Sequence, residues 1–398
     1  MTLDTIVFDP TPCGFPRPRV PPLPDGHVCL SIRASSRRQE SPVGTFRDFS
    51  RGRYALREAY RLAGVDSRST LLAPAYHCRT MIDPALALNA EVLLYPLSEV
   101  LAPVLPAIDQ LHRQSAKPVK ALLATHFFGI PQALRDLAKW CAERDIVLIE
   151  DCSHALFYRN HQPHGMGNDG RFVVSSPYKF IASPDGGLLY AQDEAALSTL
   201  KPHARSQLDE LRAVAWTLTS IRQRRHQTYP PLDTELAPIT RTEVHPGHEV
   251  RQQAGVSGEY RSQEEGRASS RCARLLHRFA DPDCIARRRR ERYQQWSAAL
   301  AGLPGCRPLY PLLPEDCIPY MFPLLIERPQ PHFYWLKRLG MPIWRWDSIV
   351  ASSCPTATRY RLHLLHLPCH QSIADADMVW MSEAVRKVIA NQNGALAK

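Results

Sequence analysis

Between residues 70 and 191, short apolar runs recur along the chain, and several are separated by apolar residues at helical spacing. Thr70 to Ala73 reads as a strand, Met81 to Leu88 as a helix and Val92 to Tyr95 as a second strand. Ala121 to Ala124 is a third, ending at Thr125-His126-Phe127-Phe128-Gly129. Leu134, Leu137, Ala138 and Cys141 then recur at helical spacing, and Ile146 to Ile149 follows as a buried strand. Phe172 to Val174 and Leu188 to Ala191 complete the set, and a helix from about Gly52 to Leu62 precedes it. This alternation predicts an α/β fold, with a mainly parallel sheet covered by helices. Such sheets bind ligands beyond the carboxyl ends of their strands, where Tyr76, His126 and Asp151 are expected to emerge.

Outside this block the pattern changes. Residues 1 to about 45 carry Pro16, Pro18, Pro21, Pro22 and Pro24 among arginines, and read as an extended arm over the surface. Residues 46–265 are expected to form a large domain, with a helix from Leu208 to Arg224. A polar, proline-interrupted segment at about 234–268 is either a mobile loop or disordered. Residues 266–398 are expected to form a smaller α/β domain. It opens with one long helix from Ser270 to Leu300, and Tyr320–Ile326, Phe333–Leu339, Leu362–Leu367 and Asp375–Ala390 follow as alternating strand and helix.

The chain has 398 residues, 44% hydrophobic and 22% charged, which suits one large domain plus a smaller one. No apolar run reaches the length of a membrane span, and the N-terminus lacks the basic and apolar regions of a signal peptide, so neither membrane nor export is expected. Eleven cysteines are scattered without a Cys-x-x-Cys pair. Structural zinc and a disulfide framework are therefore both poorly supported, no metal is expected, and a reducing cytoplasm fits better. The net charge of +10 reads either as a solvated basic surface or as attraction for an anionic ligand such as a nucleotide diphosphate. Arg287 to Arg290 with Arg292 looks like the wet face of an amphipathic helix, and no nucleic-acid-binding motif accompanies it.

The chemistry is concentrated in two stretches. Ile149-Glu150-Asp151-Cys152-Ser153-His154 ends an apolar strand in a carboxylate, and Ser175-Ser176-Pro177-Tyr178-Lys179 sets two hydroxyls before a lysine, with Asp185-Gly186-Gly187 beyond. A carboxylate, a hydroxyl pair and a lysine form the set needed to hold pyridoxal phosphate. The lysine bonds the aldehyde, the hydroxyls take phosphate, and the carboxylate keeps the pyridine nitrogen protonated. Asp151 is otherwise a helix N-cap, His154 otherwise a satisfied core histidine, and Gly52, Arg53 and Tyr54 otherwise a plain helix start. Trp344 and Trp346, flanking Arg345, either line a substrate pocket or pack within the small domain.

From about Phe49 onward the chain resembles the DegT/DnrJ-type sugar aminotransferases, of the fold type I pyridoxal phosphate enzymes. The resemblance rests on Gly52-Arg53-Tyr54-Ala55-Leu56, Pro74-Ala75-Tyr76-His77, His126-Phe127-Phe128-Gly129, the Asp151 and Lys179 stretches, and Arg289 to Tyr293 with His366-Leu367-Pro368. It implies a three-layer large domain, a homodimer, and an amino group passed from glutamate to a keto group, as of a nucleotide-linked sugar. Lys179 and Asp151 would be catalytic, with His154 beside the ring oxygen. Ser175, Ser176, Gly52, Arg53 and Tyr54 would serve the phosphate. Two departures stand out. Relatives often carry a ring-stacking aromatic where this chain has Cys78, leaving Tyr76 or His77 as candidates for that task, and the asparagine-bearing loop of the family is not recognisable between Arg251 and Ser270. The same cofactor also serves racemases, lyases and other biosynthetic enzymes, and a non-catalytic regulatory protein of this fold is a further alternative.

Overall fold

The structure is a computed structural model, and it describes residues 3–26, 28–31, 45–156, 166–222, 228–242 and 247–391. In chain order its elements are β1 (Asp4–Asp9), β2 (Thr45–Phe49), α1 (Gly52–Leu62), β3 (Thr70–Pro74), α2 (Arg79–Ala87), β4 (Glu91–Tyr95), α3 (Leu105–Gln114) and β5 (Val119–Thr125). Next come α4 (Arg135–Ala142), β6 (Val147–Cys152), β7 (Phe172–Ser175), β8 (Gly187–Ala191), α5 (Gln207–Arg222), α6 (Leu232–Arg241), β9 (His248–Gln253) and α7 (Arg271–Phe279). The chain closes with α8 (Pro282–Leu300), β10 (Cys306–Pro308), β11 (Met321–Ile326), α9 (Pro329–Arg338), β12 (Ile349–Val350), α10 (Pro355–His363), β13 (Leu364–Pro368) and α11 (Asp375–Ala390).

The main sheet has seven strands in the order β2-β8-β7-β6-β5-β3-β4. Its pairs from β4 to β7 are parallel, and only β8 runs against the rest. Every residue of β3 and of β8 is buried, as expected of strands covered on both faces. The period of two decides which core each side chain joins. Leu122 and Ala124 of β5 face one cluster with Trp140 and Phe180, whereas Ala121 and Leu123 face another with Tyr60 and Ile82. The fold is therefore α/β in three layers. Neighbours of β3 lie on opposite sides of it, so the sequence order reverses between β3 and β5, and the loops leaving these strands frame a crevice.

A second sheet, β10-β11-β13, is antiparallel, and its core includes Trp296 of α8, Trp335 of α9 and Met381 of α11. The third sheet corrects two expectations. Its order is β12-β1-β9, so the start of the arm is a paired strand, and Cys13 and Val20 lie in the second core; residues 32–44 of the arm lie outside the described residues. The polar segment at 234–268 holds most of α6 and all of β9, whose backbone pairs with β1 although its own side chains are exposed. Neither element carries a long apolar period, which is why the sequence reads as loop.

The expected helix from Ser270 to Leu300 is two helices. Asp281 caps the second, its side chain accepting from the amide of Cys284, and Pro282 takes the first helical turn, where its missing N–H costs nothing. The expectation against disulfides is also corrected, since Cys29 of the arm is bonded to Cys284 at the start of α8. The partners are 255 residues apart, so no spacing pattern reveals them. Among the described residues no helix is long and apolar enough to cross a membrane.

Candidate active site

Lys179 lies on a single helical turn, Pro177–Lys179, directly after β7. Its amide donates to the carbonyl of Ser176 at 3.0 Å, and its own carbonyl accepts from Arg289 at 2.9 Å. The ammonium nitrogen is 5.3 Å from the ring centre of Tyr320. Among the described residues no carboxylate pairs with it. Asp151, on the neighbouring strand β6, is buried, and one carboxylate oxygen accepts from the amide of Ser153 at 2.9 Å. Thr125 stands in register with Asp151 on β5, and its buried hydroxyl has no hydrogen-bond partner.

His154 is buried on the loop after β6. Its Nδ1 accepts from the amide of Phe128 at 3.1 Å, which leaves the proton on Nε2. Its ring lies flat on Tyr320, with centres 4.3 Å apart. Burial, with smaller contributions from Lys179 and His366, holds its pKa well below the ordinary histidine value, so the ring is neutral.

The start of α1 supplies the opposite wall. Arg51, its N-cap, offers no side-chain cap. Tyr54 and Ala55 donate their amides to the carbonyl of Arg51, so the amides that precede them are the ones left for a ligand. A Cβ on Gly52 would collide with the hydroxyl of Ser176 as it is placed, so glycine here lets the helix start lie against that serine without turning the hydroxyl away. Gly186 has φ +141° and is pressed on the ring of His277, which holds the turn after Lys179 in place. Gly52, Arg53, Asp151, His154, Ser176 and Lys179 line one recess, joined by Cys78 and Trp346.

The other expected residues stand apart. Ser175 is buried on β7 and does not line the recess. Tyr54 turns its hydroxyl to the amide of Arg261 and lines a neighbouring cleft of about 620 Å³, together with Arg51, Arg53, Arg205, Arg212 and Arg261. Tyr76 is spent on His366, 2.9 Å from its Nε2. His77 donates from Nδ1 to the carbonyls of Pro74 and Ala75 and accepts at Nε2 from the amide of Val350; burial lowers its pKa to about 4. Neither lines the recess. Their alternation along an extended loop left the choice open in the sequence.

One participant escapes the sequence reading, and a second is one that it left open. Arg289 was expected on a wet helix face, but it is fully buried. It donates to the carbonyls of Lys179, Pro319 and Tyr320 and to the side chain of Gln371, binding the Lys179 turn to the second sheet. Its neighbour Arg287 does keep the wet face. Trp346 reaches the recess from the segment before β12, a role that only its flanking of Arg345 suggested.

His126, Glu150 and Cys152 also converge, with potential ligand atoms within 4.8 Å of one another. Their lone pairs are already used. His126 Nε2 donates to Glu150 at 2.8 Å and its Nδ1 accepts from Gln132, while Glu150 accepts from the amides of Gly167, Asp169 and Gly170. Burial holds the thiol of Cys152 protonated. The cluster anchors the segment before β7 and leaves no lone pair for a cation.

Known proteins resemble this chain in sequence and in fold. Residues 49–210 match the DegT/DnrJ/EryC1/StrS aminotransferase family. A dTDP-4-dehydro-2,3,6-trideoxy-D-glucose 4-aminotransferase from Saccharopolyspora spinosa is 31% identical over 90 residues, a stretch spanning 22% of this chain and 23% of that protein. Among solved structures, the aminotransferase TlmJ from Streptoalloteichus hindustanus superposes with a TM-score of 0.59 at 19% identity, covering 87% of this chain and 86% of its own. A DegT DnrJ EryC1 StrS aminotransferase from Brucella abortus gives 0.60 at 14% identity, over 88% and 87% of the two chains. These two likenesses show the fold, that of the fold type I aminotransferases.

Proposed function

We propose that the protein is a pyridoxal phosphate-dependent aminotransferase that moves an amino group from glutamate to the keto group of a nucleotide-linked sugar. The observation that carries this is the convergence of Lys179, Asp151, His154 and Ser176 on one recess, beside a helix start opened by Gly52. The donor set fits the cofactor. It offers an amine for an aldehyde, a carboxylate for a pyridinium, a hydroxyl with free helix amides for a phosphate, and a glycine where a Cβ would fill the cradle. When bound, pyridoxal phosphate supplies an electron sink for charge that develops at the substrate carbon.

The residues then have distinct tasks. The Asp151 carboxylate holds a proton on the pyridine nitrogen. His154 donates from Nε2 to the ring oxygen, which its neutral state and fixed tautomer allow. Ser176 and the amides of Gly52 and Arg53 bind the phosphate. Lys179 Nζ would hold the aldehyde of the cofactor and, as a free amine, would carry the proton away from the donor α-carbon and return one to the carbon that receives nitrogen. The sugar acceptor is favoured by the Saccharopolyspora relative; the cleft beside the recess carries arginines, but Arg53, Arg205 and Arg212 are paired there with Glu259, Asp185 and Asp209, so the cleft adds no separate argument for a diphosphate.

Purified protein mixed with pyridoxal phosphate should turn yellow, and borohydride should fix the label on the peptide containing Lys179. Glutamate should then convert the cofactor to its amino form. A colourless mixture, or a label on another lysine, would overturn the assignment. A homodimer belongs to the same proposal, because α5 leaves Leu208, Leu211 and Leu218 more than half exposed beside the cleft. Sedimentation of the loaded protein should give twice the chain mass, and a loaded monomer would count against it.

A further inference from the structure

We infer that Trp346 is the aromatic side chain covering the cofactor ring, in place of the residue that Cys78 cannot supply. This rests on the pyridoxal phosphate reading above. A flat cationic heterocycle taken out of water needs an apolar plane against its face, and an aromatic plane adds attraction between the ring quadrupole and the positive charge. A cysteine side chain is too small to give such a plane, and both of its aromatic neighbours, Tyr76 and His77, are buried and turned elsewhere.

The geometry points to the replacement. Next to the recess lies a second cavity of about 330 Å³, between the arm and the segment from Ile343 to Ser348. Among the described residues only Cys78 and Trp346 line both spaces, so the two form the partition between them. The plane missing on the Cys78 side of this wall is thus available from the Trp346 side.

Trp346 is also held still, as a stacking plane must be. Its ring centre is 4.7 Å from Tyr76 and 6.1 Å from both Phe127 and His154, and His366 meets it edge-on at 5.3 Å. The chain before it is tied to β13, where the amide of His366 donates to the carbonyl of Trp344 at 2.8 Å. The chain after it is tied to the β3–α2 loop through the amide of Val350 and His77. Trp346 is a positioning residue for the cofactor, held from both sides by these two backbone ties.

The test is a titration of apoprotein with pyridoxal phosphate, followed by the near-visible absorbance and by the circular dichroism induced in that band. W346A should bind about tenfold more weakly and lose most of the induced signal, whereas W346F should stay within about threefold of wild type. C78F added to W346A should recover most of both losses, since it restores an aromatic plane to the same wall. Far-UV circular dichroism of each variant checks that it is folded. Should W346A bind within about twofold of wild type with its induced signal intact, Trp346 does not cover the ring. Failure of the wild type to bind would instead overturn the cofactor assignment, and this inference with it.

Discussion

The guanidinium of Arg289 is surrounded by carbonyl oxygens and has no carboxylate against it. Burial lowers its pKa to about 10, so it stays charged at neutral pH, and its hydrogen bonds replace the water it has lost. Arg289→Met would strand the carbonyls of Lys179, Pro319 and Tyr320 together with the side chain of Gln371. Each stranded buried group costs about 1–3 kcal/mol, so denaturant unfolding should show a loss of about 3 kcal/mol or more. Lysine would recover only part of it, because one ammonium cannot fork to four acceptors. A loss under about 1 kcal/mol for the methionine variant would show the network to be dispensable. Composition alone does not mark this arginine off from the others in its run. Helical phase could have done so, because Ile285, Arg289, Tyr293 and Trp296 share one face, and three of these four are apolar or aromatic. Lys179, Asp151 and His154 were legible for the opposite reason. Each sits at a fixed offset from a strand end, and strand ends are what the apolar runs mark.

The same contrast holds for whole elements. Strands β3, β5, β6 and β8 are short and buried on both faces, so hydrophobicity alone locates their ends to within three residues. Helix α1 is legible from its buried face, which runs through Ala55, Leu56, Ala59 and Tyr60. Strand β9 is the reverse case. All of its side chains are exposed, and it is held by backbone pairing to β1, a partner at the other end of the chain. No local pattern encodes such a strand, because the information lies in the edge that receives it. Helix α10 escaped the reading for another reason. Its apolar residues show no one-sided period, since Ala357 and Tyr360 are buried but so is Arg361, which reaches Glu249 of β9. The departures cluster in elements that join the arm, the middle segment and the end of the chain. Their contacts are long-range ion pairs and backbone pairings, which composition and periodicity do not report.

At the scale of the molecule, the packing that builds the recess also buries histidines that cannot be charged where they lie. Burial lowers His77 and His277 to about 4 and His366 to about 3, against an ordinary value of 6.5. Each takes up its proton only when the chain unfolds. The stability it contributes is therefore whole above pH 6.5 and is lost as pH falls toward the folded-state values. The expected slope is about 1.4 kcal/mol per pH unit for each imidazole. Asp347 acts in the opposite sense, because burial raises it to about 6 against the pull of Arg345, and it begins to gain a proton in the folded state only near that pH. Between pH 6.5 and 5.5 three histidines outweigh one carboxyl, and the unfolding midpoint should fall. His277 is the cleanest probe, since it touches Ser183 behind the Gly186 turn and does not line the recess. His277→Gln, measured by denaturant unfolding at several pH values, should flatten the acid slope by about one proton. Stability that stays level or rises from pH 7 to 5.5 would mean that these imidazoles are not held neutral, and with that the tight packing of His366 against Tyr76 and Trp346 would be in question.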